Sequence, residues 1–218
     1  MDPNFSFEYK FRDSDKPNEI SPIIIMLHGY GSNENDLFSF ASHIPENYKI
    51  ISLRAPYPIA YGGYSWYDFG MDDKMNFQIN LKQAKDSMLK IKDFVNNELD
   101  KICLFDINKI CLIGFSQGTI LSYALSLNNP QLFSKIIALS GKINLDLIDK
   151  KNNDFSNLNF FCSHGIQDQV IPVDLCRESI DWLKINNIEH IYKEYDMAHN
   201  VNQENFYDLL NWINTNVK

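Results

Sequence analysis

Short, uninterrupted apolar runs constrain the fold of this chain more than any other feature. Residues 23–27 read IIIML directly after Pro22, and residues 109–114 read KICLIG. A continuous apolar run suits a strand that is buried on both faces, as in a parallel sheet covered by helices. Between such runs lie apolar stripes of helical period, as in Leu81, Ala84 and Met88. This alternation predicts an α/β fold, a mostly parallel central sheet with helices on both faces.

The predicted strands and helices alternate along most of the chain. The predicted strands are Phe5–Arg12, which alternates as an edge strand would, Ile23–Leu27, Tyr48–Leu53, Lys109–Gly114, Lys135–Gly141, Asn159–Gly165 and Glu189–Tyr195. The predicted helices are Leu37–His43, Gln78–Leu99, Thr119–Leu127, Asp174–Lys184 and a last one that carries Phe206 to Val217. In such sheets ligands bind beyond the carboxyl ends of the strands, so candidate residues are sought in those loops.

The size and charge of the chain argue against several classes of function. Its 218 residues, 44% of them apolar, suffice for a single domain over residues 1–218 with a sizeable core. A formal charge of −8 argues against nucleic acid as a partner. No apolar run reaches the roughly 18 residues of a membrane span, so no stable membrane insertion is expected. No group of His, Cys, Asp and Glu has the spacing of metal ligands. We therefore expect the protein to use neither a metal nor another cofactor.

The N-terminus and the cysteines indicate a cellular compartment. The opening MDPNFSFEYK has neither the basic nor the apolar region of a secretory signal. Cys103, Cys111, Cys162 and Cys176 occur singly, and two of them lie inside apolar runs. This pattern favours buried, reduced thiols over disulfides, and we therefore expect a cytoplasmic protein.

Ser116 lies between two glycines at the point where a buried strand gives way to a helix. Residues 114–118 read GFSQG. A sharp strand-to-helix turn strains its middle residue, and a Cβ two positions before or after would clash with the neighbouring strand and helix. Such a turn presents a nucleophilic hydroxyl above the sheet, beside a helix N-terminus that favours negative charge. The alternative is a glycine-rich turn in which Ser116 only caps the helix.

A serine hydroxyl needs a base to take its proton, and five histidines are candidates. His199, in YDMAHNV, follows the last strand and precedes the last helix, which is where the base is expected. His43 falls in a predicted helix and His190 opens a strand, whereas His28 and His164 each precede a glycine at a strand end. The alternative for His199 is a loop histidine that caps the last helix.

A carboxylate should orient that histidine. Asp168 lies in the loop after a buried strand and between Ser116 and His199, which is the chain order Ser, Asp, His. Its rivals are Asp174, expected in the first turn of a helix, and Asp196, which shares the loop of His199.

An oxyanion needs two backbone N–H donors. Gln117 directly follows the serine and should supply one. Tyr30, in the glycine-containing loop after the IIIML strand, should supply the other, and His28 is expected to brace that loop rather than to react.

These motifs together resemble the phospholipase/carboxylesterase group of α/β-hydrolases. The similarity rests on LHGYGSNENDL, SWYDF, GFSQG, HGIQDQVIP and MAHNV, in that order, and spans about Ile23 to Lys218. It implies the α/β-hydrolase fold, a triad of Ser116, Asp168 and His199, and an oxyanion hole of the Tyr30 and Gln117 amides. It also implies that Trp66 lines the acyl pocket, unless Trp66 and Phe69 fill the core beneath their loop.

Two residues depart from the group's pattern. Ala198 stands where glycine is common before the histidine, and Thr119 stands where a small residue or glycine is common after Gly118. Neither is expected to touch the reacting atoms, so the departures bear on loop geometry rather than on catalysis.

The sequence thus predicts a serine esterase that acts on small-molecule carboxylic oxy- or thioesters through an acyl-enzyme. A small serine peptidase with the same triad and a non-catalytic binding protein on a hydrolase scaffold remain as alternatives. The acyl length and the leaving group are not specified by the sequence. Nor is the oligomeric state, so a homodimer is left open.

Overall fold

A computed structural model describes residues 5–60, 62–71, 77–149 and 154–216. These residues form a seven-stranded sheet, whose strands are β1 Tyr9–Arg12, β2 Ser21–Leu27, β3 Lys49–Leu53, β4 Phe105–Phe115, β5 Lys135–Leu139, β6 Asn159–Gly165 and β7 Glu189–Tyr195. Their order in the sheet is β1-β3-β2-β4-β5-β6-β7. Strand β1 pairs antiparallel with β3 at one edge, and the other neighbours pair in parallel. The predicted mostly parallel sheet is confirmed, and the predicted edge strand lies at its edge.

Helices cover both faces of this sheet. They are α1 Leu81–Asn97, α2 Gln117–Asn128, α3 Val173–Ile185 and α4 Gln203–Asn216, with 3₁₀ turns at Leu37–His43, Leu99–Lys101 and Leu145–Leu147. On one face, α1 and α2 pack against Ile23 and Ile25 of β2, and α3 packs against β5 and β6. On the other face, α4 packs with Ile24 and Met26. The continuous apolar run of β2 is therefore explained by burial on both sides. None of the helices described is long and apolar enough to cross a bilayer.

The long helix begins at Leu81, the first residue of its apolar stripe, and not at the predicted bound Gln78. Phe77–Ile79 instead pairs antiparallel with Phe69–Met71 in a two-stranded sheet. The Asn80 side chain then accepts a hydrogen bond from the Gln83 N–H and caps α1. The predicted helix Leu37–His43 is a 3₁₀ helix, and the predicted edge strand is reduced to Tyr9–Arg12.

The four cysteines are free and buried, as expected. Burial raises the pKa of the Cys103 thiol to about 11 and that of Cys176 to about 12. A thiol in such surroundings stays protonated, so these side chains act as small apolar groups in the core.

Candidate active site

Ser116 lies on a strained turn between β4 and α2. Its φ is 53° and its ψ is −115°, a conformation that residues other than glycine rarely adopt. The turn brings backbone segments very close together. A Cβ on Gly118 would lie 1.9 Å from the Leu27 carbonyl oxygen, and one on Gly114 would lie 2.6 Å from the Gly118 carbonyl. The spacing of the two glycines thus follows from backbone contact across the turn.

The strained turn is tied to the end of β5. The Ser116 N–H donates to the Leu139 carbonyl over 2.9 Å. The Thr119 hydroxyl donates to the same carbonyl over 2.6 Å and accepts from the Leu139 N–H over 3.1 Å. Thr119, which departs from the family pattern, therefore fastens the start of α2 to the neighbouring strand.

The structure brings together the three side chains predicted as a triad. His199 Nε2 lies 2.9 Å from Ser116 Oγ, and His199 Nδ1 lies 2.7 Å from Asp168 Oδ2. An ionised carboxylate only accepts hydrogen bonds, so Nδ1 carries the proton and Nε2 can accept from the serine hydroxyl. Ser116 retains 9% of its surface exposed.

Asp168 is held from its other side by its own loop. Its Oδ1 accepts the backbone N–H groups of Val170 and Ile171, over 2.8 and 2.9 Å. The rival carboxylates have other partners, since Asp174 accepts from Arg177 and Asp196 accepts from Gln167.

The loop that carries His199 approaches the end of β6 at Gly165. A Cβ on Gly165 would lie 2.3 Å from the carbonyl oxygens of both Met197 and Ala198. Only glycine allows this approach, which sets the loops of Asp168 and His199 side by side. Ala198 takes part through its backbone, so a side chain at this position leaves the contact intact.

Two backbone amides are predicted for an oxyanion hole, and they belong to the residues that follow Ser116 and Gly29. Gln117 is the first residue of α2, so its N–H has no acceptor within the helix. Tyr30 follows Gly29, where a Cβ would lie 3.4 Å from the Ser116 Cβ. The Tyr30 N–H donates to no acceptor within the described part of the chain.

The loop of Tyr30 is anchored by hydrogen bonds and by an ion pair. The Gly31 N–H donates to the Tyr64 carbonyl over 2.9 Å, and the Tyr64 N–H donates to the Ser32 carbonyl over 2.8 Å. Glu34, 5% exposed, accepts two hydrogen bonds from the Arg54 guanidinium, over 2.6 and 2.7 Å. These bonds to Arg54 lower the pKa of Glu34 below its usual value.

His28 braces the same loop, as expected. Its Nε2 accepts from the Ala55 N–H over 3.0 Å, so Nδ1 carries the proton and donates to the Gly29 carbonyl over 2.7 Å. Burial lowers the pKa of His28 and keeps the ring neutral.

Trp66 does not line an open pocket. It exposes none of its surface, and its indole N–H donates to the His28 carbonyl over 2.8 Å. Trp66 thus has the core position that the sequence left open as the alternative, whereas Phe69, which the same alternative placed in the core, is 47% exposed. The indole fills the core because its N–H finds a buried acceptor there.

The Gln117 side chain has a role that the sequence analysis missed. Its Oε1 accepts from the Trp66 N–H over 2.8 Å, and its Nε2 donates to the Tyr67 carbonyl over 2.7 Å. It thus joins the residue after Ser116 to the SWYDF segment. The sequence did carry a signal for this contact. An exposed turn needs no long amide side chain next to the serine, so a glutamine at this position indicates that its amide has partners.

A strained serine on a strand-to-helix turn of a mostly parallel sheet, next to a histidine and a carboxylate from later loops, defines an α/β-hydrolase. Comparison with known proteins agrees. The family model described as Phospholipase/Carboxylesterase matches residues 14–217. The chain belongs to the phospholipase/carboxylesterase family, as its motifs predict.

Individual relatives cover nearly the whole chain. It is 26% identical over 212 residues to acyl-protein thioesterase 1 of Yarrowia lipolytica, covering 89% of this chain and 92% of that protein. It is 27% identical over 209 residues to the protein of that name in Saccharomyces cerevisiae, covering 87% and 90%. The carboxylesterase of Bacillus cereus has a similar fold, with a TM-score of 0.82 at 15% identity and coverage of 97% and 95%.

Proposed function

We propose that this protein is a serine esterase that cleaves carboxylic oxy- or thioesters through an acyl-enzyme. The observation that carries the proposal is the continuous contact from Asp168 through His199 to Ser116, over 2.7 and 2.9 Å. Membership of the phospholipase/carboxylesterase family supports an ester as the substrate.

In the first half of the reaction, Ser116 Oγ attacks the acyl carbonyl carbon while its proton passes to His199 Nε2. The C–O bond that forms places negative charge on the carbonyl oxygen. The N–H groups of Tyr30 and Gln117 stabilise this oxyanion, and the Asp168 carboxylate stabilises the imidazolium. His199 then protonates the leaving alkoxide or thiolate as the bond to the leaving group breaks.

In the second half, water replaces the leaving group. His199 takes a proton from the water, whose oxygen attacks the acyl-enzyme carbonyl, and the same two amides stabilise the second oxyanion. The intermediate collapses when His199 returns the proton to Ser116 Oγ, and the carboxylic acid is released. Apart from the ester and water, every step uses groups of this chain.

The choice between oxyester and thioester rests on the relatives. Two of them carry the name acyl-protein thioesterase 1, which makes thioesters the first class to assay. A panel of p-nitrophenyl esters of increasing acyl length, with acyl-CoA thioesters and a lysophospholipid, would define the acyl group and the leaving group. The buried free thiols support a reducing, cytoplasmic setting.

Ser116→Ala tests the nucleophile. The variant removes one hydroxyl and should lower kcat for p-nitrophenyl acetate by about a thousandfold or more. Ser126→Ala is the matched control, because Ser126 is a buried serine of α2 whose hydroxyl donates within the helix to Ser122. Its kcat should stay within about threefold of the wild type. Labelling by a fluorophosphonate should be lost in the first variant only, and labelling of another serine in the wild type would refute the assignment.

A further inference from the structure

A second histidine lies against the carboxylate of the proposed triad. His164 Nε2 is 3.2 Å from Asp168 Oδ2, the same oxygen that contacts His199. Neither the His164 nor the Asp168 side chain is exposed to solvent. Asp168 Oδ2 therefore has an imidazole on each of two sides.

Its surroundings determine which nitrogen of His164 carries the proton. Nε2 lies 2.8 Å from the Ile171 carbonyl oxygen, which can only accept a hydrogen bond. Nε2 is therefore the protonated nitrogen and donates to Ile171, while Asp168 Oδ2 lies 3.2 Å from the same nitrogen. Nδ1 is buried and has no partner among the described residues. Burial lowers the pKa of His164, which keeps the ring neutral.

Ile171 links the two side chains a second time. Its N–H donates to Asp168 Oδ1 over 2.9 Å, while its carbonyl accepts from His164 over 2.8 Å. His164 thus contacts both the carboxylate and the peptide segment that holds the carboxylate. The neighbouring carboxylate, that of Glu194 on β7, has both oxygens engaged by Arg177, over 2.7 and 2.8 Å.

We propose that His164 is a positioning residue for the reaction, which holds Asp168 Oδ2 in line with His199 Nδ1. This inference rests on the proposed function, because it presumes that Asp168 orients the base. Packing alone does not favour histidine at this position, since a buried nitrogen without a partner destabilises the fold. What histidine supplies here and an apolar side chain would not is the approach of Nε2 to Asp168 Oδ2, which through Asp168 bears on His199.

The tautomer of His164 can be tested without an activity assay. In wild-type protein with ¹⁵N-labelled histidine, NMR should find His164 neutral and protonated at Nε2. Its Nε2–H resonance should move when Asp168→Asn removes the adjacent charge. The matched control Asp196→Asn, in the neighbouring loop, should leave that resonance in place. A proton on Nδ1, or a resonance that ignores Asp168→Asn, would overturn the proposal.

Kinetics give the second test. His164→Leu keeps an apolar side chain of similar size and should lower kcat by roughly tenfold, with KM within about twofold, because only the orientation of the base is disturbed. His164→Gln can place an amide N–H near the position of Nε2 and should restore kcat to within about threefold of the wild type. His190→Leu, the same change at the far end of β7, is the matched control and should leave kcat within about twofold.

A double-mutant cycle separates positioning from a structural role. If His164 acts through Asp168, His164→Leu should cause no further loss of kcat in an Asp168→Asn background. A full tenfold loss in that background, or a His164→Leu variant with wild-type kcat, contradicts the proposal. Should His164→Leu fail to fold, the NMR test decides alone. Failure of these tests with an inactive Ser116→Ala would leave the esterase proposal intact, whereas an active Ser116→Ala would remove its basis.

Discussion

At the scale of the residue, the identity of the carboxylate that orients His199 is the sharpest question. Two backbone N–H groups donate to Asp168 Oδ1, and they allow a specific prediction for Asp168→Asn. They would hold the amide oxygen, so the NH₂ group would face His199 and favour the wrong tautomer. We expect kcat to fall by roughly 10³ to 10⁴.

The rival carboxylates supply the controls. Asp174→Asn and Asp196→Asn should each lower kcat by less than about tenfold, because these side chains contact Arg177 and Gln167 instead. The measurement is the three kcat values side by side at one pH. A mild Asp168→Asn would mean that another group orients the base.

At the scale of the element, the contact between the end of β2 and the start of α2 depends on Gly118. In Gly118→Ala the new Cβ would lie 1.9 Å from the Leu27 carbonyl oxygen, which is backbone and cannot turn aside. The strand and helix must separate, which should lower the free energy of unfolding by about 1–3 kcal/mol. The same movement should displace the Gln117 N–H. Urea unfolding and kcat/KM, measured together, test this.

Gly70→Ala is the matched control for that glycine. A Cβ on Gly70 meets nothing within 4 Å, so stability and kcat/KM should stay close to the wild type. If Gly118→Ala behaved like Gly70→Ala, the close approach of β2 and α2 would not be needed for either property.

At the scale of the whole molecule, one ion pair joins the Tyr30 loop to the central sheet. Glu34 of that loop pairs with Arg54, which follows β3 and also pairs with Glu8 ahead of β1. Because its folded pKa lies below the usual value of 4.5, Glu34 contributes stability above that pH. The contribution is lost as the pH falls through the folded pKa.

Glu34→Gln should therefore lower the free energy of unfolding by about 1–2 kcal/mol at pH 7, and the difference from the wild type should shrink as the pH falls through the lowered folded pKa. Glu8→Gln is the control, since the Glu8 side chain is 73% exposed and its pair with Arg54 is open to water. Its effect at pH 7 should be clearly smaller. If the difference in the free energy of unfolding between Glu34→Gln and the wild type grew as the pH fell, the stabilising role of the Glu34 pair would be contradicted.

Features that depend on local backbone preference could be predicted from the residues alone. Continuous apolar runs identified the buried strands, and Asn159–Gly165 and Glu189–Tyr195 have the bounds predicted for them. Two glycines around Ser116 indicated the strained turn, because a Cβ at either position meets backbone within a few residues or at the next strand. The chain order Ser, Asp, His then named a serine and a carboxylate that each lie within 3 Å of the His199 ring.

The contacts made across separate loops depend on the tertiary structure. It buried Trp66 against His28, used the Gln117 side chain to join two segments, and set His164 beside Asp168. It also made Phe77–Ile79 a strand, although the predicted helix began at Gln78. Periodicity reports which face of an element is apolar. Which atoms meet at the sheet edge depends on strand order and register, which bring together residues far apart in the chain.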